Sequence, residues 1–450
     1  MNPRLLWETL AEDLGPGFAE SRELHRAVLK LSRSFTEGRE ALEPAYFSDP
    51  LLRRAYLAYF LPLGFAKVQT LLLAHKGWLP PRTREPADQR PIKRAEKPTE
   101  MPEDKPEPSE FRILDFGCGP GTAALAALDT LKRVVKSGNA PRVAVDLVDS
   151  QPEALEVARR LVARFAGRLG LGVTIRTFQT LPDGEAWKAD VLGHDLVMAV
   201  NVLNELPPEE GVRGRETLIR LWEQTRGFDS ASRQIGGIDS ASRPIGGSML
   251  IVEPSHRVAS QRMVRFRERL LKSHSTDGAV PRGARILGPC MHLGACPVNR
   301  TKNWCHFSEP ALDSRLQDLS TRVFKDPRKW LKFSYLFFKR EDFTATTWDR
   351  LTYRAIGDLH PVGGARPERR LSHRHSAGHR AHTLAIDLCR PREKLVLALP
   401  AAAFPQELRE KLVRGAVVTI EEGADEAAKK PGGKIAPARV RATPMTSRKI

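Results

Sequence analysis

The chain has 450 residues, enough for two or three domains that each bury a core. Its 41% hydrophobic and 28% charged content excludes a disordered or fibrous protein. The formal net charge of +18 attracts polyanions, of which nucleic acid is the commonest.

At the N-terminus, Glu8, Glu12 and Asp13 fall where a signal peptide needs an apolar run. The segment nearest to a membrane span, 55–74, is interrupted by Lys67 and Gln69, and no stretch is expected to cross a bilayer. The expectation is a cytoplasmic protein with no membrane partner. Five cysteines in a reducing compartment then point to a metal site or buried thiols, not to disulfides.

Residues 1–79 read as a helical region. Leu24, Val28, Leu31 and Phe35 recur at helical spacing, as do Tyr56, Tyr59, Phe60 and Leu63. Pro62 is expected to kink or break the second stretch. Residues 80–110, rich in proline and charge, have linker composition.

From Phe111 short apolar strands alternate with helices. Strands are expected at 112–116, 142–148, 172–178, 195–200 and 249–253, with helices from Thr122, from Pro152 and around 216–224. This is the pattern of a parallel sheet covered on both faces, here assigned to 111–260. Inside it, a ten-residue unit starting at Phe228 repeats at Ile238; two Gly/Ser-rich copies read as a duplicated surface loop.

Residues 261–332 form a basic helix and a cysteine-bearing segment. Between Arg257 and Lys302 there are ten Lys or Arg and two acids, Glu268 and Asp277. Residues 333–426 read as a β-rich C-terminal part, with strands at 333–338, 383–388 and 394–399. The tail 427–450 holds seven Lys or Arg and no acid, the composition of a disordered basic extension.

The first expected strand runs into Asp115-Phe-Gly117-Cys-Gly119-Pro-Gly121-Thr122. Glycines are needed where the turn is tight and a ligand presses on backbone. Dinucleotide folds use G-x-G-x-x-G to seat a pyrophosphate on a helix N-terminus. G-x-G-x-G with Asp115 before it suits S-adenosyl-L-methionine, whose sulfonium tolerates a nearby carboxylate. Asp149, ending the second strand, is placed to accept hydrogen bonds from ribose hydroxyls; its rival Asp146 falls mid-strand. Asn201, ending the fourth strand, would line the same crevice. Cys118 reads as a small packed residue.

Methyl transfer is a separate matter. Enzymes that methylate base amino groups often carry Asn/Asp-Pro-Pro-aromatic after strand four, whereas this chain reads Asn201-Val-Leu-Asn-Glu-Leu-Pro-Pro208. Glu205 could serve as a base, but an acid there is ordinary helix capping. No catalytic residue is assigned.

Cys290, Cys296 and Cys305 lie within sixteen residues, and Cys389 follows at a distance. Three clustered thiols and one remote thiol can close a four-ligand site. Thiolates select zinc or an iron–sulfur cluster, and the spacing does not choose between them. The histidines from His373 to His382 alternate with arginines and read as a solvated basic loop. Arg262, Arg265 and Arg269 share one helix face; with Arg300 and Lys302 they form a candidate RNA-binding surface.

These motifs resemble a family of methyltransferase-like proteins associated with the small ribosomal subunit in bacteria and mitochondria. The resemblance covers roughly residues 20–400. Its most specific parts are Ala55-Tyr-Leu-Ala-Tyr-Phe-Leu-Pro62, Asp115–Thr122, the stretch from Asn201 to Pro208, and Cys290-x5-Cys296-Pro-x7-Cys305-His-Phe307. It implies an α/β class I S-adenosylmethionine-dependent methyltransferase (Rossmann-like) sheet and a 4Fe-4S cluster on Cys290, Cys296, Cys305 and Cys389. It also implies binding to small-subunit rRNA in assembly or translation, with methylation reduced or lost. The competing expectation is an active rRNA or protein methyltransferase with a structural zinc. Radical chemistry is excluded, because its C-x3-C-x2-C signature is absent from the sequence.

Overall fold

The computed structural model describes residues 3–36, 46–79, 110–135, 141–179, 193–204, 247–273, 284–290, 304–310 and 313–340. It also describes single positions among 216–225 and at 296 and 298, and the backbone of six short strands between 352 and 443. The expected linker, except its last residue, and the ten-residue repeat lie outside these residues, as do the histidine-rich loop and Arg300 and Lys302.

The alternating segments form a sheet of β1 (Phe111–Phe116), β2 (Val143–Asp149), β3 (Val173–Gln179), β4 (Leu196–Val200) and β5 (Ser248–Pro254). These five are parallel, in the order β3-β2-β1-β4-β5. Helices α5 (Thr122–Val134) and α6 (Pro152–Leu169) make the crossovers between β1, β2 and β3. Beyond β5 lie β6 (Ala284–Gly288), β7 (Phe307–Pro310) and β8 (Trp330–Arg340). β8 runs antiparallel to β5, and both β6 and β7 pair with it. Five parallel strands in this order, followed by an antiparallel one, are the sheet of a class I methyltransferase.

β1 is buried at every position but Arg112, and β4 at every position but its last. That is why they read as continuous apolar runs. β8 belongs to this sheet too, which corrects the expected division at 332/333: the strand expected at 333–338 extends the methyltransferase-like sheet. Its Phe333, Phe337 and Phe338 are wholly buried, and apolar composition alone cannot tell which sheet such a strand joins.

The N-terminal helices are α1 (Pro3–Leu14), α2 (Arg22–Thr36), α3 (Pro50–Ala55) and α4 (Leu61–Ala74). They share one core with the sheet rather than standing apart. Leu57, Phe65, Val68 and Leu72 join the cluster that holds Leu125, Leu128, Val162, Phe165, Ile113 and Val145. α4 lies so close on α5 that a Cβ at Gly64 would meet Thr122 Cγ2 at 2.8 Å.

Pro62 does not break its helix. A π turn at Tyr56–Phe60 precedes it, and the Leu61 N–H donates to Tyr56 O, five residues back. That wider turn accommodates a residue with no N–H and a bulky ring. The continuous helix Pro50–Ala74, whose most apolar window has a mean hydropathy of 1.5, is long and apolar enough to cross a membrane, contrary to expectation. Within this protein 67% of its most apolar window is buried.

A second sheet is formed by β9 (Thr352–Ala355), β10 (His360–Pro361), β11 (Thr383–Arg390), β12 (Glu393–Pro400), β13 (Val417–Ile420) and β14 (Val440–Thr443), in the order β10-β11-β9-β13-β14 with β12 on β11. β11 and β12 are the strands expected near 383 and 394. β14 corrects the expectation of a disordered tail, since Val440–Thr443 pairs antiparallel with Val417–Ile420. Its short Val-Arg-Ala-Thr alternation was outweighed by the surrounding charge.

Candidate functional site

In the parallel sheet the order reverses at β1, which has β2 on one side and β4 on the other. Ligands of open α/β sheets bind in the crevice outside the carboxyl ends at that switch point. The loop from Gly117 to Gly121 occupies that position. Gly117, Gly119 and Gly121 have φ of 65°, 49° and 82°, the left-handed region that glycine enters without strain.

The three glycines do different work. A Cβ at Gly117 would meet Val202 Cγ2 at 2.4 Å, so the loop after β4 closes on it. A Cβ at Gly121 would meet Val162 Cγ2 at 3.0 Å, so this residue lets α5 approach α6. At Gly119 a Cβ would meet no protein atom within 4 Å. Gly119 is where another molecule could press on the backbone.

Asp149 ends β2 beside this loop. Its Oδ2 accepts the Gly119 N–H at 2.7 Å and its Oδ1 accepts the Gln151 N–H at 3.0 Å. Burial raises its pKa against the hydrogen bonds from Gln151, Gly119 and Ser150. Asn201, just after β4, has φ of 62°, an uncommon conformation for a side-chain-bearing residue. Its N–H donates to Val252 O at 2.8 Å. The sheet register thus brings the two expected positions to either side of the loop.

Asp115 is placed differently from the expectation. Its carboxylate is buried and accepts the Ala124 N–H at 2.9 Å. It ties the loop to the first turn of α5, whose N–H groups otherwise lack partners. Burial raises its pKa to about 7, helped by the neighbouring Asp149 charge. Asp146 is remote from the crevice chemistry. Its oxygens take two hydrogen bonds from Arg176 at 2.7 Å and one from His194 at 2.6 Å. Burial would raise its pKa, but these partners outweigh burial and hold it at about 2.

Glu253, at the end of β5, was missed by the sequence reading. It is buried and accepts the Leu203 N–H at 2.9 Å, strapping down the loop after β4. An acid directly before Pro254 at a strand end was the available signal.

Helix α7 (Arg257–Ser273) follows β5. Arg265 and Arg269 are exposed and Arg262 is half-buried, with its Nη1 donating to Leu203 O at 3.4 Å. The expected basic face is formed by these three, while Arg267 is buried on the opposite side.

That buried side faces the cysteines. Cys290, Cys296 and Cys305 line one pocket, together with Ser260, Met263 and Arg267. The Cys305 carbonyl accepts hydrogen bonds from Ser260 Oγ and Ser334 Oγ, and the Cys296 N–H donates to Glu268 Oε1 at 3.3 Å. Among the described residues no three His, Cys, Asp or Glu side chains are grouped to hold one metal ion. Cys389 lies in β11, where it pairs with Lys394 and Arg354; its side chain is outside the described residues.

A family model described as mitochondrial small ribosomal subunit Rsm22 matches residues 92–395, more than half of the chain. Comparison with curated proteins gives no match. Among solved structures, the chain is similar to a protein described as a class I S-adenosylmethionine-dependent methyltransferase from Listeria monocytogenes, at 11% identity and TM-score 0.33, over 74% of this chain and 72% of that one. It is also similar to the CMeT domain of the citrinin polyketide synthase, at 14% identity and TM-score 0.33, over 72% and 67%. A third similarity is to the methyltransferase domain of bacterial CtHen1, at 13% identity and TM-score 0.26, over 51% and 89%.

Proposed function

The chain belongs to the mitochondrial small ribosomal subunit Rsm22 family, and we propose that it binds S-adenosyl-L-methionine and docks on the RNA of the small ribosomal subunit during assembly or translation. Its location follows its partner, in the cytoplasm or the mitochondrial matrix. The observation that carries the cofactor assignment is the bond between Gly119 and Asp149 at the switch point of the sheet.

In this reading Gly119 lets the cofactor approach the backbone, while Gly117 and Gly121 shape the loop by closing on Val202 and on α6. The remaining acceptor capacity of Asp149 receives ribose hydroxyls, and Asn201 borders the crevice opposite. Asp115 acts through the loop it anchors. The cofactor would supply an electrophilic methyl group on a sulfonium. Glu205 and Pro208 lie outside the described residues.

Cys290, Cys296, Cys305 and Cys389 are proposed to hold a 4Fe-4S cluster. Three thiols around one pocket support this, as does the buried Arg267 charge, which would offset thiolates. A single zinc needs its ligands gathered round one ion, whereas in a cluster each thiolate binds a different iron.

Arg262, Arg265 and Arg269 are proposed to grip rRNA phosphates, as are Arg300 and Lys302, which lie outside the described residues. Changing the three helix arginines to Glu should strip the protein from small-subunit particles in a density gradient and flatten the salt dependence of rRNA binding. Co-sedimentation equal to that of the wild type would remove α7 from the interface.

A further inference from the structure

Helix α8 (Ser314–Phe324) is followed by a turn that leads into β8. Between 325 and 332 the chain carries Lys325, Arg328, Lys329 and Lys332 against one acid, Asp326. All four cations are exposed. The acid is engaged in shaping the turn: its Oδ1 accepts the Arg328 N–H at 3.0 Å and its carbonyl accepts Ser320 Oγ at 2.8 Å.

Backbone geometry here is unusual. Lys325 and Arg328 have φ of 58° and 40°; Asn201 at the crevice is the one other non-glycine residue with positive φ among those described. Lys325 is the left-handed C-cap of α8, its N–H donating to Thr321 O at 3.0 Å. Arg328 is fixed with its guanidinium 4.0 Å from the Phe324 ring centroid.

Trp330 opens β8 at 50% exposure, next to the β7 end, where it pairs with Pro310. Leu331 is buried and Lys332 exposed, so strand alternation puts Trp330 and Lys332 on one outward face. The other exposed large apolar residue among those described is Val258, which lies on α7. Among the described residues Trp330 is therefore an isolated aromatic ring within a field of cations. A protein partner or a membrane would need a contiguous apolar patch around it. A nucleobase needs a single ring face, with cations to hold its phosphates.

We propose that Trp330, with Lys325, Arg328, Lys329 and Lys332, forms an RNA contact in which the indole stacks on an unpaired base. Bases of an A-form duplex are closed to such stacking, so the target is a single-stranded loop or end. The inference rests on the reading of the chain as an RNA-binding ribosomal protein but uses an element other than α7.

The test uses the full-length protein and a fluorescein-labelled oligouridine of about twelve nucleotides, read by anisotropy. Trp330→Ala should weaken binding about tenfold while keeping the salt slope, because a stacked base contributes without releasing counterions. Trp330→Phe should recover most of the affinity. Lys329→Gln with Lys332→Gln should instead lower the salt slope by about 1.4. Affinity for Trp330→Ala within twofold of the wild type would overturn the proposal, as would wild-type binding to phosphatidylserine vesicles with none to the oligonucleotide. If reversal of the α7 charges removes particle binding while Trp330→Ala leaves oligouridine binding unchanged, this contact fails alone. If Trp330→Ala weakens oligouridine binding while no variant alters sedimentation, the ribosomal reading fails alone.

Discussion

The Asp149 carboxylate accepts the Gly119 N–H at 2.7 Å, joining the ends of two neighbouring strands across thirty residues of sequence. This bond fixes the height of the glycine loop against the end of β2. Gly119 presents an open face, whereas Gly117 is closed by Val202.

That contrast separates binding from folding. Gly117→Ala should destabilise the protein by about 2–4 kcal/mol, from left-handed backbone strain plus overpacking against Val202. Gly119→Ala should cost about 1 kcal/mol, since only the backbone is strained. Urea denaturation of the two variants checks this order, and equal losses would place Gly119 in the packing.

Asp115 should make stability depend on pH. Its folded pKa of about 7 lies above the ordinary carboxylate value. The folded state therefore holds more protons than the unfolded one between about pH 4 and 7, and stability falls as pH rises through that window. Asp149, also raised, acts in the same direction. Asp115→Asn keeps an acceptor for the Ala124 N–H and should make the slope shallower, gaining on the order of a few kcal/mol at pH 8 relative to pH 4. Asp115→Leu, which leaves that N–H without its acceptor, should lose about 1–3 kcal/mol.

Asp146 and Asp149 should part company in binding assays. Asp146→Asn weakens the contacts to Arg176 and His194 and should cost about 2 kcal/mol, a figure reduced because Arg176 is 41% exposed. Its affinity for S-adenosyl-L-methionine should stay at the wild-type value. Since Asp146 titrates at about 2, its contribution is present above the ordinary carboxylate pKa and is lost as pH falls towards 2. Asp149→Asn should reverse the pattern, losing cofactor affinity about tenfold or more. A cofactor defect in Asp146→Asn would contradict the assignment of ribose binding to Asp149.

The cysteines should act on folding as well as colour, because metal-binding energy counts as folding energy. Anaerobically purified protein should be brown, and Cys296→Ser should lose the chromophore and melt at a lower temperature. A colourless wild-type protein carrying one zinc would show that the wrong metal was chosen.

Much of the sheet was legible because buried parallel strands are written as short apolar runs between turn residues. Asp149 and the glycines stood out for the same reason: strand ends and left-handed turns constrain residue type locally. What lay beyond the sequence was set by distant partners. Asp115 looks like a ligand-facing acid until Ala124, nine residues on, is seen to donate to it. β8 reads as part of a separate β region until Phe337 is found opposite Leu250. Pro62 reads as a helix breaker because nothing in its neighbours announces a π turn. Trp330 stands out only when its exposure is known, since most tryptophans in such a chain are core.

The most direct measurement is calorimetric titration of the wild type and Gly119→Arg with S-adenosyl-L-methionine at matched folded concentration. The wild type should bind with one site per chain, and the arginine, projecting from the open face of the loop, should reduce affinity by at least about a hundredfold. Equal affinities in the two proteins, or no heat in the wild type, would contradict the assignment of this crevice to the cofactor.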